Sequence, residues 1–534
     1  MDNSEVRLKS GVLSLNPVNG QLGYEKSKHL LNRCMFGARL SEIEFMQNKT
    51  AEEAVDFLLR ESAETLSPPL SAKNNDDEVP VGTTWINTKY NGKYRGQRIY
   101  SYICWWIGRL IHQDLSLVEK MTIFWHNHFV IENDVVRNTN FNYHYNILIY
   151  NEALGNFKEL TKQMTINVGM LKYLNGDQNV TGAANENYAR ELLELFTIGK
   201  GPLTEPGNYT NYTEQDIREA AKVLTGWRTN SDVDQSYFTS SKHDKSTKTF
   251  SEIFNNQVIQ NNEENEYIDL IEMIFSKKET ARFLVRKLYR WFVYHEIDEE
   301  IEQNIISPLT ELFSENNFEI KPLLKKLLCS EHFFDENYRG CLIKNPLEFT
   351  IGMLRQLEFD SPDNSDIIKQ YGFWNKIFYY AKIQDMEIGN PPDVAGWPAW
   401  YLEPMYNELW INAATIPNKS AVTKSVISYG ISPLSGYDKI YLDPFKVVYL
   451  ANDPSDINDL IPTLTGLLFP LPATEDQINE LKEVLIPGLP DFEWTAEWNK
   501  YISNPDDENQ KNAVSNSIKK LLIKICSMGE YQLI

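Results

Sequence analysis

The sequence predicts a mainly α protein: a large multi-helix domain, interrupted near residues 236–254 by a short β-hairpin or irregular insertion. Apolar residues recur at spacings of three and four along most of the chain, the signature of helices with one buried face. Ser/Thr residues followed three positions later by Glu mark several helix starts. The 534 residues are 42% hydrophobic and 12% aromatic, with 12 Trp, 28 Tyr and 25 Phe, enough to build a substantial core.

The elements follow in order. Residues 40–60 carry helical periodicity, and Thr50 with Glu53 forms a capping-box pattern that starts a helix near 51. The same period predicts helices over 98–112, 117–129, 140–165, 185–198, 213–226, 265–276, 278–294, 301–315, 319–330 and 346–357. Ser116 and Glu119 make a second capping-box pattern. Residues 61–82, "SPPLSAKNNDDEVPVG" among them, read as an exposed loop, and "GNPPDVAGWPAW" (389–400) as a packed one, because it mixes Pro and Gly breakers with large aromatics. The Ser/Thr-rich stretch 236–254 lacks the helical period, hence the insertion. Three parts are expected: an N-terminal segment 1–20, the helical domain 21–430, and a helical extension 431–534, a pair or trio of helices packed on it. No fixed-period repeat supports a solenoid.

Composition excludes several functions. A formal charge of −22, with no concentration of Lys and Arg, argues against nucleic acid as a partner. The first 20 residues have no apolar run of signal-peptide type, which predicts a cytoplasmic protein. The most apolar stretch, 101–111, is interrupted by Arg109 and is too short to span a bilayer. The five cysteines are widely spaced with no CxxC pair, so they read as buried free thiols. There is no GxGxxG after a strand and no P-loop, and no nucleotide cofactor is expected.

The chemical candidates lie in three places. "FWHNHF" (124–129) sets His126 and His128 one residue apart among aromatics. On a helix, i and i+2 point about 200° apart, so both bind one metal only if the backbone becomes extended. The plain alternative is two polar residues closing an aromatic helix. "GAANENYARELLELFTIGKG" (182–201) projects Glu186, Asn187, Arg190, Glu191 and Glu194 onto one arc of roughly 140°. Asn185 is the candidate N-cap and Gly199 the stop. This face is either solvated and laced with Glu186–Arg190 and Arg190–Glu194 pairs or the wall of a cleft, where carboxylates hold a divalent ion or act as acid and base. "KHDKSTKTF" (242–250) offers His243 and Asp244, as turn residues or as site residues on a loop.

Eight blocks in order carry a resemblance: "KHLLNRCMFGA" (28–38), "FWHNHF", "NENYARELLELFTIG" (185–199), "YTEQDIREAAKVLTGW" (212–227), "HDKSTKTF" (243–250), "ARFLVRKLYRWFV" (281–293), "NPLEFTIGMLR" (345–355) and "PPDVAGWPAW" (391–400) continuing to "WIN" (410–412). Over about residues 20–430 the chain resembles the bacterial family of domain of unknown function 1800, in a version similar to Bacteroidetes-like members. The resemblance implies a mostly helical fold. It also implies a partner, a sulfatase-like exported protein encoded nearby, with which the chain would be co-exported. Lys245, Ser246 and Thr247 depart from the Gly and Pro of many members.

Two functions are expected as alternatives. One is an enzyme of acid/base or metal-assisted hydrolytic type, gathering His126 or His128 with Glu186, Arg190, Glu191 and Glu194, and including His243 and Asp244. In that reading His126, His128, Glu191 and Glu194 are the candidate ligands of a divalent metal. The other is a non-catalytic assembly or binding protein, with Trp397, Trp400 and Trp410 presenting the interface.

Overall fold

A computed structural model describes residues 11–60, 66–205 and 208–534, and it is mainly α. One contiguous hydrophobic core runs from Leu22 to Tyr531. Its axis is the Val118–His128 helix, every residue of which is buried. Trp125 of this helix stacks on Phe129 (5.9 Å) and Phe157 (5.7 Å), and His126 meets Trp106 edge-on at 5.0 Å. Burying 150–250 Å² per aromatic ring makes such a cluster a dominant contribution to folding. The Arg95–Ile111 and Ile367–Lys382 helices pack on each other, and Thr139–Asn151 packs on Val118–His128.

Most helices fall where the periodicity places them, and the differences have local causes. Thr50 and Glu53 form their capping box, but residues 40–60 hold two helices, Leu40–Met46 and Ala51–Leu58. Ser116 Oγ accepts the N–H of Val118, whereas Glu119 is drawn away into a two-pronged ion pair with Arg109 (2.8 and 2.9 Å), so no box forms there. The expected 140–165 helix breaks into Thr139–Asn151 and Phe157–Thr165, because Asn156 Oδ1 caps the second by accepting from Lys158 and Glu159. Residues 66–82 are not simply exposed. Ser71, Ala72, Asp76 and Val79 are buried, and Asp76 pairs with Arg98 at 2.9 Å; residues 61–65 of that expected loop lie outside the described residues.

The insertion begins earlier than its composition suggests. Trp227–Asn230 pairs with Gln235–Phe238, and Lys248–Thr249 pairs with Val258–Ile259, both antiparallel. After residue 431 there are five helices, Pro444–Val448, Ile457–Leu468, Glu475–Leu485, Phe492–Ser503 and Glu508–Ser527, more than the expected two or three. They are tied into the common core. Lys28 Nζ donates to Gly466 O (2.8 Å), Gln356 Nε2 to Leu467 O (3.3 Å), and Tyr531 packs on Phe349 at 5.4 Å. All five cysteines are free, four of them buried and Cys341 partly so. Among the described residues no helix is long and apolar enough to cross a membrane.

Candidate functional site

The site is built around two irregular backbone segments that need partners. The first is the end of the 185–198 helix. Its cap position falls one residue later than expected, at Glu186, which makes no side-chain cap bond; Asn185 Oδ1 instead accepts from Asn187 N–H (2.9 Å), and the chain runs as α-helix over Asn187–Glu191. From Leu192 to Thr197 it becomes a π-helix. The widened turn loosens the ladder and rotates later side chains off the α-helical face, a feature that recurs at functional sites. It ends at Gly199, whose N–H reaches back to Leu193 O at 2.9 Å. The second segment is the Pro- and Gly-rich loop over 389–400, irregular up to a single 3₁₀ turn at Pro398–Trp400.

"FWHNHF" supplies the missing partners to both. His128 Nε2 donates to Phe196 O (2.9 Å) and its Nδ1 accepts from Lys287 Nζ (3.2 Å); Lys287 also donates to Leu195 O (3.1 Å). Two carbonyls of the π-helix are satisfied in this way. On the other face His126 Nε2 accepts the N–H of Gly389 (3.2 Å), while its Nδ1 donates to Tyr145 Oη (3.1 Å), which in turn donates to Phe129 O (2.6 Å). Between them Asn127 Oδ1 accepts from Trp397 N–H at 2.9 Å. Gly396, at φ +96, is where the loop backbone presses on Asn127, and a Cβ there would overlap the amide.

These bonds fix the chemistry of both imidazoles. Each ring has one acceptor and one donor nitrogen in use, which only the neutral form provides. Burial pushes His126 down to about 3 and, with Lys287 beside it, holds His128 well below its ordinary range. Lys287 itself has no carboxylate partner among the described residues, and burial, with Arg290 nearby, lowers it to about 7. Neither histidine reaches the carboxylates of 186–194, so the expected pairing of His126 or His128 with Glu191 and Glu194 is not formed. The i,i+2 geometry of a continuous helix sends the rings to opposite neighbours. No group of three or more His, Cys, Asp or Glu side chains is placed to hold a metal ion among the described residues.

The helix face carries different pairs from those predicted. Glu186 meets Arg190 (3.2 Å) as expected, but Arg190 is claimed by Glu214 through two bonds of 2.7 and 2.9 Å. Glu194, beyond the start of the π-helix, turns to Lys200 and to Tyr212 Oη (3.1 Å) and makes no pair with Arg190. That leaves Glu191, half-buried, with neither a hydrogen bond nor an ion pair among the described residues. Its surroundings are acidic. Burial first, then the charges of Glu194 and Asp393, outweigh Arg190 and Lys200 and push Glu191 up to about 7. Tyr173 donates to Glu132 Oε1 (2.8 Å), and its hydroxyl is held above its ordinary range by burial, by Glu132, and by Asp393 and Glu191. Asp393 is exposed on the 389–400 loop, with Oδ1 accepting from Ala395 N–H at 3.0 Å. Glu132, Tyr173, Glu191 and Asp393 thus come together from four separate elements.

His243 and Asp244 stand apart. His243 Nε2 bonds Glu266 (2.8 Å), Lys248 bonds the other Glu266 oxygen (2.6 Å), and all three side chains are completely buried. Asp244 closes a local turn by accepting from Ser246 N–H at 2.9 Å. This is an internal lock for the insertion. The tryptophans expected at an interface also face inward: Trp397 and Trp410 are 1% and 4% exposed, and Trp400 packs on Trp291 at 4.5 Å.

Sequence reasoning did not single out Glu132, Tyr173, Asp393 or Lys287. Only Lys287 carried a signal, since it falls in the apolar i,i+3,i+4,i+7 stripe of Leu284, Leu288 and Trp291.

Glu191 gives a pH-dependent prediction. Its folded value of about 7 lies above the ordinary 4.5, so between these the folded state binds more protons and stability falls as pH rises. Glu191→Gln removes that loss. Denaturant unfolding should find the variant more stable than the parent at pH 8 by about 1–2 kcal/mol, discounted for solvent contact, and nearly equal to it at pH 5. A variant no more stable at pH 8 contradicts the assignment.

No curated protein and no solved structure matches the chain. Residues 29–533, nearly the whole of it and extending past the boundary expected at 430, match the family described as "Protein of unknown function (DUF1800)". The chain belongs to that family.

Proposed function

We propose that the protein is an enzyme working by general acid/base catalysis, a hydrolase in the simplest case, with Glu191 as the group that gives and takes the proton. One observation carries this reading: Glu191 is a half-buried carboxyl, unpaired among the described residues and raised to about 7, where a general acid or base is most effective. Asp393 supplies a second carboxyl from an independent element, suited to orienting a water or steadying positive charge in the transition state. Glu132, Glu191, Glu194 and Asp393 make the surroundings acidic, which disfavours anionic substrates. Tyr173, bonded to Glu132, and Tyr401, near Asp393, border these carboxylates, so a neutral, hydroxyl-rich substrate or a cationic one suits the site. His126, Asn127 and His128 are positioning residues in this account. Arg190 serves the helix pairing.

The test is hydrolysis of a panel of nitrophenyl glycosides and esters. Turnover is expected to show a pH limb near 7, and Glu191→Gln should lower kcat/KM at least about 100-fold. Full turnover in the variant overturns the proposal.

A second reading, an assembly protein co-exported with a sulfatase-like partner, draws support from Leu402, Met405 and Ile416, which are 48%, 45% and 54% exposed near the buried tryptophans. Affinity capture from the native cell should then recover that partner, and capture should weaken in Leu402→Glu. Recovery of the chain alone removes this reading.

A further inference from the structure

Away from Glu191 the core borders a narrow, partly open cavity of about 30 Å³ whose walls include Arg33, Lys120, Arg290, Trp291, Asn345 and Glu348. Arg33 on this wall has no carboxylate partner among the described residues. Arg33 and Lys120 are 1% and 2% exposed, yet the one carboxylate within ion-pair distance of the three cations, among the described residues, is Glu348, bonded to Lys120. Arg33 spends its terminal nitrogens on neutral acceptors, the carbonyls of Phe292 (3.3 Å), Val293 (3.0 Å) and Tyr338, with Cys341 Sγ at 3.2 Å. Arg290 donates to His295 O (3.1 Å) and lies over the Tyr406 ring. Beyond Glu348, Lys120 meets the aromatic faces of Phe36 (5.1 Å) and Trp291 (5.8 Å).

Donors are also in surplus. Arg33 Nε and Trp291 Nε1 are buried without an acceptor among the described residues. Glu348 has both oxygens engaged, one by Lys120 and one by Asn345 N–H at 2.9 Å. A buried cation without a counter-charge is costly, and an arginine does not relieve that cost by losing its proton. A buried arginine held only by neutral acceptors, beside unused N–H groups, favours an acceptor that brings negative charge and no protons of its own. A space this narrow suits a single small ion better than a larger organic anion.

We propose that this cavity binds one small monovalent anion of the halide class. It would bridge three elements, the Gly23–Cys34 helix through Arg33, the Val118–His128 helix through Lys120 and the Lys278–Phe292 helix through Trp291. An anion held there stabilises the folded state in proportion to the logarithm of its occupancy term. In a chain of net charge −22, weak surface binding of anions is opposed, so a saturable halide effect reports a built site.

The test uses the full chain in gluconate buffer at constant ionic strength, with chloride replacing gluconate stepwise. The thermal midpoint is expected to rise and saturate, and crystals grown with bromide should show an anomalous peak within the cavity. Trp291→Phe keeps the ring and removes one donor, and should weaken halide affinity about five-fold. A midpoint indifferent to chloride, or bromide crystals with no anomalous peak between Arg33 and Lys120, overturns the proposal even if the variant fails to fold.

Discussion

The structure depends on one constraint: backbone groups released by irregular segments must find partners inside the core. A buried unpaired N–H or C=O costs about 1–3 kcal/mol, so a π-helix and a Pro/Gly loop meeting in one interior are tolerable only if side chains complete their bonding. The Val118–His128 helix provides those side chains at its last turn. His126 and Asn127 hold the 389–400 loop by Gly389 and Trp397, and His128 holds the π-helix by Phe196. Because consecutive helical positions point in different directions, one short motif ties two separate segments to a common helix.

This arrangement explains why the histidines do not act as the chemistry-bearing groups they resemble. An imidazole that must accept on one nitrogen and donate on the other has no proton to exchange and no lone pair for a metal. What it supplies is position. The segments it holds bring Glu191 and Asp393, residues 202 positions apart by number (393 less 191), into one electrostatic environment. The π-helix contributes as well. It turns Glu194 toward Lys200 and Tyr212 while Glu214 takes Arg190, so that no cation pairs with Glu191 among the described residues. The raised proton affinity that suits Glu191 to acid/base work is also a cost to folding above neutral pH, a common exchange between stability and function.

The fold class was legible because amphipathic period and capping residues act locally, and Thr50 with Glu53 behaves in the structure as its spacing implies. The breaks were not, since they come from distant partners: Glu119 leaves its cap for Arg109, and the π-turn persists because His128 and Lys287 satisfy its carbonyls. Of the site, Glu191 was legible as a member of a polar helix face. Its singular status was not, because that depends on Glu214 taking Arg190 and on Asp393 arriving from a loop. His243 and the tryptophans show the opposite case. Residue types suited to chemistry or interfaces went into the interior as a lock and as packing, which composition alone does not distinguish.

The most direct test of the central claim is ¹⁵N nuclear magnetic resonance of the histidine rings in the intact chain from pH 5 to 8. The account predicts that His126 and His128 stay neutral throughout, His126 as the Nδ1–H tautomer and His128 as the Nε2–H tautomer. Titration of either ring near the ordinary value of 6.5, or the same tautomer in both, would contradict it.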